Sequence, residues 1–206
     1  MSTQLLWFAT RGSGIVSMVL FSLVVVLGIL TTMRWQSAGW PRFLTAELHR
    51  TISLLSVAFI VAHIVTSILD PFAKLGIEAA VIPFASSYRP LWVGLGVLSM
   101  DLGIAVLVTS LLKARIGQRA WRLVHWLAYA SWPLAILHTI GSGSDNGAAW
   151  MFAIDVACIG SVCLALIWRI LASRGPNAGA LEEIATGAGG MNGVRGVTGA
   201  RRAPGR

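Results

Sequence analysis

The sequence predicts an all-α membrane protein in which five transmembrane helices form a bundle. Of its 206 residues, 56% are hydrophobic and only 12% are charged, whereas about a quarter of the residues of a soluble globular chain are charged. The apolar residues also form five separate stretches, each reaching the ~20 residues that a helix needs to cross a ~30 Å hydrocarbon core. A chain of this length fits one domain.

These stretches give the predicted boundaries of the membrane domain, which covers residues 1–172. We place the five spans at about residues 14–33, 43–69, 91–112, 120–140 and 149–171. Tryptophans lie near the ends of the stretches, as they do in the aromatic belts at membrane surfaces. Residues 173–206 are rich in Gly, Ala and Arg and have no apolar period, which predicts a disordered, basic cytoplasmic tail.

The positions of the basic residues predict the orientation of the spans. Lys and Arg are concentrated between spans one and two, between spans three and four, and in the tail. By the positive-inside rule these regions face the cytoplasm and the N-terminus lies outside, so we expect a multi-pass protein of the cell membrane. The net charge is +8, but it flanks apolar stretches instead of forming one basic face. We therefore expect membrane lipid, and not nucleic acid, as a partner.

The chain contains four histidines, and all of them lie in predicted spans: His49 and His63 in span two, His125 and His138 in span four. Ionisable side chains are rare in hydrocarbon and point to function. A separation of 14 residues places His49 and His63 ~21 Å apart on nearly one helix face, with an offset of about −40°. The 13 residues between His125 and His138 give ~19.5 Å but an ideal offset of about 140°. Pro133 lies between these two and can shift the phase.

The four histidines can be matched by depth. Spans two and four run in the same direction, so His49 is level with His125 near the cytoplasm, and His63 is level with His138 near the outside. Imidazole is a common axial ligand of haem iron. We therefore predict two b-type haems, the inner iron bound by His49 and His125 and the outer iron by His63 and His138. The chain has no Cys-x-x-Cys-His motif, so these haems would be non-covalent.

Other side chains and other interpretations accompany this prediction. Arg50 and Arg122 near the inner pair, and Arg89 on the outer side, are candidate partners of haem propionates. Ordinary positive-inside charge is the alternative for the inner arginines. Two further possibilities stay open. The first is a haem-free transporter or assembly factor whose histidines hydrogen-bond between helices. The second is a single haem, if the angular offset between His125 and His138 prevents one of the two sites from forming.

The histidine segments also resemble a known family. The segment Leu48-His49-Arg50 through His63 and the segment Val124-His125-Trp126 through His138 resemble the ferric reductase-like transmembrane domain family, as do residues 7–14 and 87–92. This family includes ferric reductases, NADPH oxidases and the haem-binding membrane subunit of the methionine sulfoxide reductase system. The resemblance covers about residues 5–171. It implies a bacterial inner-membrane protein that carries electrons across the membrane to an outer acceptor.

The chain departs from the family pattern in two respects. The family usually has six helices with ligands on the third and fifth, whereas here we predict five, with ligands on the second and fourth. The sequence also lacks the flavin and nicotinamide domains of the oxidases, which puts direct NAD(P)H oxidation in doubt. The resemblance then implies a separate flavoprotein or a quinol as electron donor or acceptor. The alternative is a non-catalytic haem-bearing subunit that serves such a flavoprotein. We assign no catalytic residue.

Overall fold

The described part of the chain is entirely helical. The computed structural model describes residues 3–35, 37, 40–71, 75–143 and 147–185. Within these ranges there is no strand, and seven helices follow one another: α1 Thr3–Thr32, α2 Arg42–Leu69, α3 Ile77–Val81, α4 Pro90–Leu111, α5 Lys113–His125, α6 Ala128–Ser142 and α7 Ala149–Ala185. The chain divides into two compact units, Met1–Leu166 and Ile167–Arg206. The described part of the second unit is the C-terminal portion of α7.

Four helices are long and apolar enough to cross a membrane. They cover Gln4–Thr32, Arg42–Leu69, Pro90–Leu111 and Ala149–Ser173. Large apolar side chains are exposed along all four, which is the surface expected of helices that contact lipid. The all-helical class is therefore confirmed for the described residues, and these helices indicate a multi-pass membrane protein.

The fourth predicted span contains a tight turn. Residues 120–140 are divided between α5 and α6 at Trp126 and Leu127, but both of these residues keep right-handed helical backbone angles. Helix α5 is basic and amphipathic, lies mostly exposed and is broken internally at Gly117, where φ is 80°. The break therefore precedes the predicted span, and the chain is helical from residue 118 to the end of α6. The span at 120–140 stays a prediction.

The first and last helices extend beyond their predicted spans. Helix α1 begins at Thr3, well before residue 14, and α7 continues to Ala185, well past residue 171. The first part of the segment predicted as a disordered tail is therefore helical. Ala, Leu and Glu near its end favour helix. The remainder of the predicted tail, residues 186–206, lies outside the described residues.

The first unit is built on two packed helix pairs, α1 with α2 and α4 with α6, and α1 also packs against α6. Apolar side chains form two buried clusters between α1 and its neighbours. The first contains Val25, Ile29, Val162 and Ala165, and the second contains Met18, Ile136 and Cys158. Helix α2 packs mainly against α1.

Polar contacts fix the middle of α6 against its neighbours. The hydroxyl of Ser99 in α4 donates to the carbonyl of Ser131 at 2.9 Å, and the hydroxyl of Ser131 donates to the carbonyl of Ser99 at 2.8 Å. Both serines are buried. On the other side, Nε1 of Trp132 donates to Oγ of Ser22 in α1 at 3.0 Å. These bonds hold α6 in register at a point between His125 and His138.

Candidate functional site

The four histidines form two separate pairs, each with one ring from α2 and one from α5 or α6. The ring centroids of His49 and His125 are 6.3 Å apart with an interplanar angle of 72°, and those of His63 and His138 are 6.3 Å apart with an angle of 75°. We call the first pair site 1 and the second pair site 2. These are the pairs matched by depth in the sequence. No cluster of three or more His, Cys, Asp or Glu suited to a metal ion occurs in the described ranges.

A tight turn after His125 brings His125 and His138 closer to one helix face. The backbone N–H groups of three residues donate to the carbonyl three positions earlier, at 2.9, 3.0 and 3.0 Å: Leu127, Tyr129 and Ala130. Each such step turns the chain by about 120° instead of about 100°. Three steps add about 60° and reduce the ideal mismatch of about 140° to about 80°. Pro133 lies three residues after this turn. Because proline has no backbone N–H, it cannot donate to the carbonyl of Tyr129.

Three of the four imidazole rings are held in the same way. In each, Nδ1 lies at hydrogen-bond distance from a backbone carbonyl of the neighbouring helix: Val24 for His49 (3.0 Å), Thr10 for His63 (2.9 Å) and Trp92 for His138 (2.8 Å). Since a carbonyl only accepts, Nδ1 carries the proton and Nε2 keeps its lone pair. Among the described residues, no hydrogen bond to these Nε2 atoms occurs.

A glycine lies four residues after each accepting carbonyl and lets the ring approach. A Cβ on Gly14 would lie 3.0 Å from Cε1 of His63, and one on Gly28 would lie 3.3 Å from Cε1 of His49. A Cβ on Gly96 would lie only 2.5 Å from Nδ1 of His138. We call each combination of carbonyl and glycine a carbonyl–glycine seat. Sequence analysis missed these seats, although Gly14 and Gly28 have the same 14-residue spacing as His49 and His63.

His125 is the exception. Its Nδ1 is buried and has no hydrogen-bond partner among the residues that the structure describes. Instead, its ring stacks on that of Trp121, with centroids 4.8 Å apart and an angle of 28°. Nε1 of Trp121 donates to Oγ of Ser110 at 3.2 Å, and Nζ of Lys113 lies 4.0 Å from the centre of the same indole ring.

Residues 5–145 match a family described as a domain of unknown function, DUF8596. The chain belongs to the DUF8596 family. The matched region contains both histidine pairs and all three carbonyl–glycine seats, and it ends before α7 begins. No curated protein and no solved structure matches the chain.

Each ring pair of this DUF8596 protein could hold one metal ion. An iron–nitrogen bond of about 2 Å, and about 1.1 Å from that nitrogen to the ring centre, would allow the centroids of two imidazoles on one ion to lie up to about 6.2 Å apart. Both sites have a centroid separation of 6.3 Å. A hydrogen bond from Nδ1 to a carbonyl is also the usual support of a metal-bound histidine.

The three arginines proposed from the sequence differ in their surroundings. Arg89 precedes α4 in a left-handed conformation with φ of 42°, and its guanidinium donates to the carbonyl of Gly141 at the end of α6. It therefore links the two helices that carry Trp92 and His138 at site 2. Arg50 and Arg122 are exposed; each is close in sequence to a histidine of site 1.

Proposed function

We propose that this protein is a di-haem b-type transmembrane electron-transfer protein. The observation that carries the proposal is the pair of 6.3 Å ring separations, one at each of two levels that lie ~21 Å apart along α2. Haem bound at these sites would supply the exchange of one electron between the ferrous and ferric states of its iron. Two histidines at each site would favour electron transfer over the binding of a substrate.

The residues of the chain have distinct parts in this proposal. His49 and His125 ligate at site 1, and His63 and His138 ligate at site 2. The carbonyl–glycine seats orient three of the rings and hold the proton on Nδ1, which raises the basicity of the ligating nitrogen. Arg50, Arg122 and Arg89 neutralise propionates, and the apolar helices exclude water.

The direction and partners of the reaction follow from charge and from resemblance. By the positive-inside rule, the distribution of Lys and Arg supports an orientation with site 1 towards the cytoplasm and site 2 towards the outside. The likeness to ferric reductase-like proteins suggests that a quinol or a flavoprotein delivers electrons at site 1 and that an acceptor on the outer side of a bacterial inner membrane takes them from site 2. In a variant of this function the chain is a haem-bearing subunit of a separate flavoprotein.

A haem-free transporter is the competing function. It is supported by the fact that three imidazoles already hydrogen-bond to neighbouring helices, as packing residues also do. A transporter does not explain why the Nε2 atoms of His49, His63 and His138 accept no hydrogen bond from the described residues, or why the two ring separations are equal.

Haem content decides between these functions. We expect two haems b per detergent-purified chain by the pyridine haemochrome assay. His49→Ala or His125→Ala should remove the haem of site 1, and His63→Ala or His138→Ala that of site 2. A folded wild-type protein without haem would overturn the proposal and return the histidines to a packing role.

Electron transfer across the bilayer is tested in liposomes. Vesicles that contain the protein and enclose ferricyanide should bleach it when dithionite is added outside. His63→Ala should abolish the bleaching, whereas Gly103→Ala, at a position where an added Cβ meets nothing within 4 Å, should not affect it.

A further inference from the structure

The two sites are not equivalent, because only one of them has both rings in carbonyl–glycine seats. We propose that His125 is a displaceable ligand and that site 1 therefore binds small exogenous haem ligands such as carbon monoxide, whereas site 2 does not. This inference rests on the proposed haem content. It adds a ligand-binding site to a protein whose ring pairs by themselves indicate closed coordination.

The missing seat can be located on α4. Gly14 and Gly28 are 14 residues apart on α1, and 14 residues after Gly96 on α4 the chain has Ser110. The hydroxyl of Ser110 donates to the carbonyl of Val106 at 2.7 Å. Val106 lies four residues before Ser110. In each of the other seats, the carbonyl four residues before the glycine accepts the imidazole N–H. A side chain thus stands where the seat needs a glycine, and its hydroxyl uses the acceptor.

Ser110 is connected to His125 through Trp121, so a serine in place of the seat glycine affects how His125 is held. Its Oγ accepts from Nε1 of Trp121, and the Trp121 ring stacks on the His125 ring. His125 is consequently positioned by a stack, while its own Nδ1 stays buried without a partner among the described residues. A buried imidazole nitrogen without a partner is destabilising. The orientation in which His125 faces His49 is therefore the least supported of the four.

The His125 ring can be displaced by rotation of its side chain. Helix α5 ends at His125, and Trp126 and Leu127 continue in right-handed helical conformation to α6, so the backbone need not move. The rest of α6 is held by the hydrogen bonds between Ser99 and Ser131. His125 can therefore turn away without moving His138, which lies inside α6. His49 alone would then ligate at site 1, and a neutral diatomic ligand would bind at the vacated position. His125 remains able to rebind, whereas in His125→Ala no second ligand remains to retain the haem.

The test measures carbon monoxide binding to the full-length, dithionite-reduced protein from the change in Soret absorbance, relative to total haem. We expect wild type to bind up to one equivalent per two haems. Ser110→Gly creates the fourth seat and should weaken carbon monoxide binding about tenfold, whereas Trp121→Leu removes the stack and should strengthen it about tenfold. Trp168→Leu, which removes an exposed tryptophan of the second unit, is the control and should behave as wild type.

Each outcome is decisive. Two haems per chain with no carbon monoxide binding in wild type or in Trp121→Leu would overturn the inference and leave the proposed function intact. Binding to both haems, or binding that Ser110→Gly does not change, would also overturn it. If Trp121→Leu fails to retain haem, Ser110→Gly alone decides. A wild-type protein without haem would instead overturn the proposed function.

Discussion

At the scale of single residues, the absence of a side chain determines where the histidines can lie. Gly14, Gly28 and Gly96 leave room for an imidazole to reach a carbonyl one helical turn earlier on the neighbouring helix. The three are not equally crowded. The hypothetical Cβ contacts shorten from 3.3 Å at Gly28 to 3.0 Å at Gly14 and 2.5 Å at Gly96. A contact below 3.0 Å requires the ring to shift. The crowding that an added Cβ would meet therefore increases from Gly28 to Gly14 to Gly96.

Alanine at these glycines should therefore reduce haem retention in the same order. Gly96→Ala should lower the affinity of site 2 by about 10- to 100-fold, the range found when the outer support of a metal ligand is removed. Gly14→Ala should have a smaller effect on site 2, and Gly28→Ala the smallest effect, on site 1. Haem retained after gel filtration measures this.

The matched controls are Gly103→Ala and Gly12→Ala, where an added Cβ meets nothing within 4 Å. They lie on the same two helices as Gly96 and Gly14. Equal haem loss in the controls would show that helix propensity, and not the approach of the rings, explains the result.

At the scale of helices, the tight turn between α5 and α6 determines which histidines can meet. The three tight backbone steps after His125 reduce the angular mismatch with His138. Downstream of them, the Ser99–Ser131 bonds and the Trp132–Ser22 bond hold α6 against α4 and α1. His138 is therefore tied to the fixed part of α6, and His125 to the part that precedes it.

One alanine inserted after Tyr129 should separate the two sites. The insertion rotates everything before it by about 100° and shifts it by about 1.5 Å relative to the fixed part. We expect His125 to lose its alignment with His49, so that site 1 loses its haem while site 2 keeps its own. Haem stoichiometry falling from two to one would show this, and the same insertion after Ser173 is the control. If site 2 lost its haem and site 1 kept its own, the part of α6 held by the Ser99–Ser131 and Trp132–Ser22 bonds would not be the part that stays in place.

At the scale of the whole molecule, the histidines lie on α2, α5 and α6, and α7 completes the apolar clusters. Within the first unit, α7 contributes Cys158, Val162 and Ala165 to these clusters. The DUF8596 match ends at residue 145, and every proposed ligand and seat residue precedes that point. We infer that α7 supports the bundle through its apolar contacts and takes no direct part in the sites.

Removal of the residues after Ser173 should leave both sites intact. The buried contacts of α7 lie at Ala165 and before it, and the chain beyond Ser173 includes none of the proposed ligands. We expect the shortened protein to bind two haems with unchanged absorbance and liposome activity. A fall in haem content would indicate that the C-terminal segment supports one of the sites.

The sequence by itself determined the features that depend on local periodicity and composition. Apolar stretches predicted α1, α2, α4 and α7 as long membrane helices, and the spacing of the four histidines matched the two pairs. Both kinds of inference need only the rise and turn of one helix. The use of these pairs as haem ligands stays a prediction until haem is measured.

Only the tertiary structure decided the surroundings of each ring. A carbonyl–glycine seat consists of backbone atoms on a neighbouring helix. Every residue has a backbone carbonyl, so the sequence does not show which carbonyl accepts the hydrogen bond. The three seat contacts join residues that are 25 to 53 positions apart along the chain, and His125 makes no such contact among the described residues. Because such contacts form when helices pack, the unequal support of the two sites became visible only in the folded molecule.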